Sequence, residues 1–87
     1  MDKKTSSAFN QALIDVKKLS GLTNDELLAL YGFYKQATAG DVSGPKPGMF
    51  DLKGKAKFEA WSKNKGMAKE KAVTNYVALV KKLGGEN

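Results

Sequence analysis

Tyr31, Tyr34 and Lys35 fall at positions i, i+3 and i+4 in the run Leu30-Tyr31-Gly32-Phe33-Tyr34-Lys35-Gln36-Ala37-Thr38. On a helix those positions share one face, so two phenol rings and one ammonium project together. Rings can cover a nucleobase, and an ammonium holds phosphate as a point charge. A second basic stretch, Lys53-Gly54-Lys55-Ala56-Lys57, follows later in the chain. Lys53 and Lys57 stand one helical turn apart on a common face, while Lys55 points elsewhere. Like charges at this spacing repel by about 0.2–0.5 kcal/mol, a cost that an anionic ligand would relieve. A plainer role fits the same residues: rings at the edge of a core with wet hydroxyls, and lysines on a solvated face.

The composition narrows the chemistry. The chain has neither cysteine nor histidine. No thiolate can bind metal or attack a carbonyl, and the usual neutral-pH proton shuttle is missing. The carboxylates are scattered, with no acid–base pair that the sequence places together. These features argue against a hydrolase, a redox enzyme and a zinc module; no catalytic residue, metal ligand or cofactor is expected. All 15 basic residues are lysine. The lack of arginine is unusual for a reader of DNA bases, because bidentate guanidinium contacts to guanine are the commonest specific ones. Charge is uneven: residues 46–71 carry eight lysines and three acids, whereas residues 1–45 balance.

Eighty-seven residues make one domain, 1–87. Its core must be small, because a chain of this size buries only about 60–65% of its unfolded surface. No apolar run approaches the ~20 residues needed to span a bilayer. The start, Met1-Asp2-Lys3-Lys4-Thr5-Ser6-Ser7, leads into an amphipathic pattern and not a signal-peptide core. The expectation is a soluble cytoplasmic protein.

Four segments with a helical period must position the candidate residues. In the first, Phe9, Ala12, Leu13, Val16 and Leu19 recur at spacings of three and four, with Ser6 or Ser7 as cap and Gly21 beyond the end. The second opens with the capping box Thr23-Asn24-Asp25-Glu26 and stops at Gly40. Residues 40–48 form a loop by composition, long enough for the second and third helices to run parallel. The third helix starts near Asp51 and runs to about Asn64, with Phe58 and Trp61 as core anchors and Lys65-Gly66 as breaker. The fourth starts near Ala68, carries Tyr76 on its apolar stripe and ends at Gly84-Gly85. No strand pattern competes, so the fold class is all-α. The Gly40–Gly44 stretch lacks the spacing of a phosphate-binding loop and follows no strand.

The strings Tyr31-Gly32-Phe33-Tyr34-Lys35-Gln36-Ala37-Thr38-Ala39-Gly40-Asp41, Pro47-Gly48-Met49 and Asp51-Leu52-Lys53-Gly54-Lys55-Ala56-Lys57-Phe58-Glu59-Ala60-Trp61 closely resemble the acyl-CoA-binding protein family, also called diazepam-binding inhibitor. Length, the four helical segments and the Phe9…Val16-Lys17 spacing fit too. The resemblance implies a single-domain four-helix bundle in up-down-down-up order. It implies one-to-one binding of medium- to long-chain acyl-CoA and a role as carrier and pool former. By the same resemblance Tyr31 and Lys35 hold the ribose 3′-phosphate and Tyr34 stacks on adenine. Lys57 closes from the third helix with Lys53 nearby, Tyr76 stands at the nucleotide site, and Lys17 at the phosphate and pantetheine region. Leu13, Leu27 and Leu28 are the implied walls of an acyl groove.

The sequence departs from the family pattern in places. Lys46 stands where arginine is common, keeping the charge without the fork geometry. Ala68 replaces a Ser or Thr helix cap, at a cost of about 1 kcal/mol. The Gly21-Leu22-Thr23 connection is about one residue shorter than in some relatives, which bears on chain-length preference. The expected partner is long-chain acyl-CoA, with no nucleic acid, at most transient membrane contact and a monomeric state. The alternative is a small basic nucleic-acid-binding protein, suggested by charge and tyrosines; it predicts a steep salt dependence and indifference to a fatty tail.

Overall fold

The computed structural model describes residues 2–85. Helix α1 spans Lys3–Asp15 and runs on into a 3-10 turn, Val16–Lys18. Its cap is Asp2, whose carboxylate accepts from the Thr5 amide at 2.7 Å. The expected caps, Ser6 and Ser7, lie inside the helix instead. The apolar period begins only at Phe9, so it hides the polar first turns, where a carboxylate suits the positive end of the dipole.

Helix α2 spans Asn24–Ala39, bounded as expected. The Thr23 hydroxyl accepts from the Glu26 amide at 3.1 Å, and the Glu26 carboxylate accepts from the Thr23 amide at 2.8 Å. Gly40, with φ of +83°, turns the chain out of the helix at low steric cost. Helix α3, Leu52–Ser62, starts at Asp51, which accepts from the Gly54 amide at 3.0 Å. It ends two residues before Asn64. There Asn64 and Lys65 donate to Trp61 and Ser62, three residues back, so the last turn tightens toward 3-10 geometry. Helix α4 spans Lys69–Leu83, and Ala68 supplies no side-chain cap. Among the described residues there is no strand.

Contacts fix the direction of each helix. Leu28 shares a groove with Leu52 and Ala56, Tyr31 meets Lys57, Gly32 meets Ala60 and Lys35 meets Trp61. Both residue numbers rise together, so α2 and α3 are parallel. Tyr34 faces Tyr76, whereas Gln36 reaches Met67 and Gly40 approaches Lys69, so α2 and α4 are antiparallel. Ala8 shares a groove with Val73 and Val77, and Asp15 shares one with Val80, so α1 runs parallel to α4. The result is an up-down-down-up bundle with α2 and α4 at its centre, α1 on α4 and α3 on α2.

The core is built from Phe9, Ala12, Leu30, Ala37, Ala72, Val73, Tyr76 and Val80. Trp61 is buried but stands outside this cluster, sealing the α2–α3 seam. Phe58 is half-buried and also outside it, so the two are anchors of the seam and not of the main core. Helix α3 packs chiefly against α2, which explains the displacement.

A polar network ties the seam at the C-terminal end of α2. The Trp61 indole donates to the Gly40 carbonyl at 2.7 Å. Buried Gln36 donates to Asp41 at 2.9 Å and to the Met67 carbonyl at 2.8 Å. Asp41 also accepts from the Gly66 amide at 2.8 Å. The loop after α2 is thereby bound to the turn before α4. The Gly66 amide, the Gln36 side chain and the Lys65 charge hold the Asp41 carboxyl below the usual carboxylate range.

Two outcomes follow. A methyl group on Gly32 would lie 2.6 Å from the Ala60 carbonyl oxygen, which is backbone and cannot swing away. Gly32→Ala should therefore lower stability by about 1–3 kcal/mol in urea unfolding, although alanine is the better helix former by about 1 kcal/mol. An unchanged urea midpoint would contradict the close approach. For Asp41 the folded pKa is depressed, so its contribution is present above the unfolded carboxylate value of about 3.9 and is lost as pH falls through the folded value. Asp41→Asn should flatten the fall in urea midpoint below about pH 4 relative to wild type; parallel acid limbs would refute the assignment.

Candidate functional site

The capping box at Thr23 sets where α2 begins, and its 3.6-residue period then sends Tyr31 and Lys35 toward α3 and Tyr34 toward α1 and α4. On the α3 side, the Lys35 ammonium sits 4.8 Å from the centroid of the Trp61 ring. The Lys57 ammonium sits 5.4 Å from the centroid of the Tyr31 ring. Each cation lies over a π face supplied by the opposite helix, an attraction of about 0.5–1 kcal/mol at exposed sites. The pairs hold two ammonium groups above the seam and limit the rotamer freedom of long side chains.

On the other side, Tyr34 lies 6.3 Å from Tyr76 and 6.4 Å from Phe9, and Phe9 meets Tyr76 edge-on at 5.5 Å. Tyr34 is 39% exposed, while Tyr76 is only 4% exposed. Burial pushes the Tyr76 hydroxyl above its ordinary pKa, with a smaller contribution from Tyr34. Tyr76 is thus a core residue that backs Tyr34, as its place on the apolar stripe allowed. Lys17 is exposed on the 3-10 turn after α1.

Toward the N-terminal ends of α2 and α3 the seam opens. A groove of about 440 Å³ there is lined by Asn24, Leu27, Leu28, Leu52, Lys53, Ala56 and Lys57. Two expected wall residues, Leu27 and Leu28, line it, and both expected lysines of α3 stand with them. Lys55 does not line it. Leu13 packs against the main core and is not part of this groove. A second groove of about 410 Å³ on the other flank of α2 and α3 includes Asp25, Glu59 and Lys63, a mixed set that does not favour an anion.

Sequence reasoning missed Leu52 and Ala56 as groove residues and Trp61 as a platform for Lys35. The first two were within reach: Leu52 and Ala56 form an i,i+4 stripe beside Lys53 and Lys57. Trp61 was not, because its pairing with Lys35 depends on the register in which α2 and α3 dock.

The arrangement joins two kinds of surface. Ammonium groups and an exposed phenol suit a phosphorylated, aromatic head, and the adjoining apolar groove suits a hydrocarbon. Lys57 belongs to both, since it covers Tyr31 and lines the groove.

Known proteins resemble this chain in sequence and in fold. The family model described as "Acyl CoA binding protein" matches residues 6–80. Acyl-CoA-binding protein homolog 1 of Caenorhabditis elegans is 54% identical over 77 residues, covering 87% of this chain and 90% of the relative. The acyl-CoA-binding protein homolog of Drosophila melanogaster is 48% identical over 79 residues, covering 90% and 92%. The crystal structure of Oryza sativa acyl-CoA-binding protein 2 superposes with a TM-score of 0.90 at 38% identity, covering 93% of this chain and 91% of that one. With its sequence matched along most of its length and its helices arranged alike, this chain belongs to the acyl-CoA-binding protein family.

Proposed function

We propose that this chain binds medium- to long-chain acyl-CoA esters one to one. It serves as a monomeric cytoplasmic carrier and pool former, and is a binding protein and not an enzyme. The single observation that carries the reading is the continuity at Lys57, which stands over the Tyr31 ring and on the wall of the apolar groove. One ligand can span both surfaces only if a phosphorylated head and a greasy tail are covalently joined.

In this reading Tyr31 and Lys35 hold the ribose 3′-phosphate, and the exposed face of Tyr34 stacks on adenine. Lys57 closes over the head with Lys53 beside it, and Tyr76 supports Tyr34 from the core. Lys17 meets the phosphate and pantetheine region. The acyl chain runs along Leu27, Leu28 and Leu52. Stacking contributes about 1–3 kcal/mol per base, and each charge-assisted phosphate bond about 1.5–3 kcal/mol. The ordering cost of binding subtracts from that sum. Each methylene buried adds about 0.8 kcal/mol, so the tail decides between free CoA and its esters. Two ammonium groups already held over rings reduce the ordering cost. The nucleic-acid alternative uses the same charges and leaves the groove without a purpose.

Lys35→Ala should weaken palmitoyl-CoA binding by about 1.5–3 kcal/mol in calorimetric titration while leaving the protein folded. Tyr34→Ala should reduce affinity for the nucleotide more than it reduces the urea midpoint. Unchanged affinity would remove either residue from the site. Across an acyl series, affinity should rise with chain length by up to about 0.8 kcal/mol per methylene until the groove is full. Equal affinity for free CoA and palmitoyl-CoA, or displacement of the ester by oligonucleotide, would overturn the reading.

A further inference from the structure

The approach to α3 ends in an unusual turn. The Asp51 amide donates to the Gly48 carbonyl at 3.0 Å and closes a tight turn whose central residues are Met49 and Phe50. Such tips are ordinarily polar. Here Met49 is 72% exposed, Phe50 94% and the following Leu52 74%. Leu27, half exposed, shares the groove with Leu52. A run of large apolar side chains held out in water marks an interaction surface.

The charge around this tip selects the partner. Residues 46–57 hold four lysines, Lys46, Lys53, Lys55 and Lys57, against one acid, Asp51, a net of +3. The Asp51 carboxylate is engaged at the Gly54 amide as the cap of α3. Lys53 and Lys57 stand in the same groove as Leu27 and Leu52. We propose that the Gly48–Asp51 turn is a docking tip that places Met49 and Phe50 into the headgroup boundary of an anionic lipid surface while the flanking lysines meet lipid phosphates and carboxylates. A bilayer with acidic headgroups offers both an apolar layer and negative charge at a short separation. A second copy of the chain would set lysines against lysines. A nucleic acid would gain nothing from Met49 and Leu52.

The geometry gives the tip a use. It leads directly into Leu52 on the groove wall, so a docked molecule presents the groove to the membrane, and an acyl tail passes between lipid and protein with little exposure to water. This use rests on the acyl-CoA reading, which supplies the cargo; the docking itself is testable without cargo.

The test is flotation of the full chain, free of acyl-CoA, with vesicles of phosphatidylcholine alone and of phosphatidylcholine mixed with phosphatidylserine. The wild type should float with the mixed vesicles, float poorly with the neutral ones and dissociate as salt is raised. Met49→Ser combined with Phe50→Ser should reduce the bound fraction by about tenfold while the affinity for palmitoyl-CoA in solution stays unchanged. Wild type that ignores the acidic vesicles overturns the proposal, as does a double variant that floats like wild type. A double variant that loses solution affinity for palmitoyl-CoA also overturns it, assigning the tip to the acyl groove. So does self-association of the wild type, abolished in the variant, without vesicle binding, which assigns the surface to a second copy. Should wild type float yet fail to bind palmitoyl-CoA in solution, the cargo reading falls and the docking stands.

Discussion

The parallel pairing of α2 with α3 is the constraint on which the rest depends. The two helices close to backbone contact where Gly32 meets Ala60, and they open toward their N-terminal ends where Leu27 and Leu28 face Leu52. One end of the seam is therefore tight and sealed by Trp61, and the other is a groove. Lys57, between the two ends, and Lys35, at the sealed end, are held over aromatic rings of the opposite helix. A parallel pair needs a long connection, and residues 40–51 supply it. The Trp61–Gly40 bond and the Gln36–Asp41–Gly66 network then fix the near end of that connection. Polar chemistry far from the groove thus sets its shape.

Parallel pairing also brings the positive ends of two helix dipoles to the same region. That attraction for an anion is largely spent within the protein, because Asp25, Glu26 and Asp51 stand in or beside the first turns. Each such interaction is modest, about 0.3–1 kcal/mol, and salt screens it. In the proposed reading the lysines of α3 and Lys35 therefore carry most of the charge recognition. The rings beneath Lys35 and Lys57 set geometry more than strength, since an exposed cation–π contact is weaker than a charge-assisted phosphate bond.

Much of this was legible in the sequence, for local reasons. The Thr23–Glu26 box, the Asp51 cap and the Gly40 stop are encoded within a few residues, and the structure keeps them all. The missing cap at Ala68 was equally local. The Tyr31, Tyr34 and Lys35 face follows from helical spacing alone. What escaped depends on contacts between distant segments or on polar turns without apolar period. Asp2 as the first cap, the shortened end of α3 and the exclusion of Trp61 from the main core are of this kind. Tyr76 shows the limit plainly: its spacing fits both a core residue and a site residue, and only packing against Phe9 and Tyr34 shows how deeply it sits.

The central claim is that one ligand spans the ring-held lysines and the α2–α3 groove. The most direct measurement is amide and side-chain methyl chemical-shift mapping with palmitoyl-CoA, using free CoA as the second titrant. The account predicts that both titrants shift Tyr31, Tyr34, Lys35 and Lys57, and that only the ester also shifts Leu27, Leu28 and Leu52, saturating at one equivalent. Shifts of the groove leucines by free CoA, or an ester that leaves them unmoved, would contradict it.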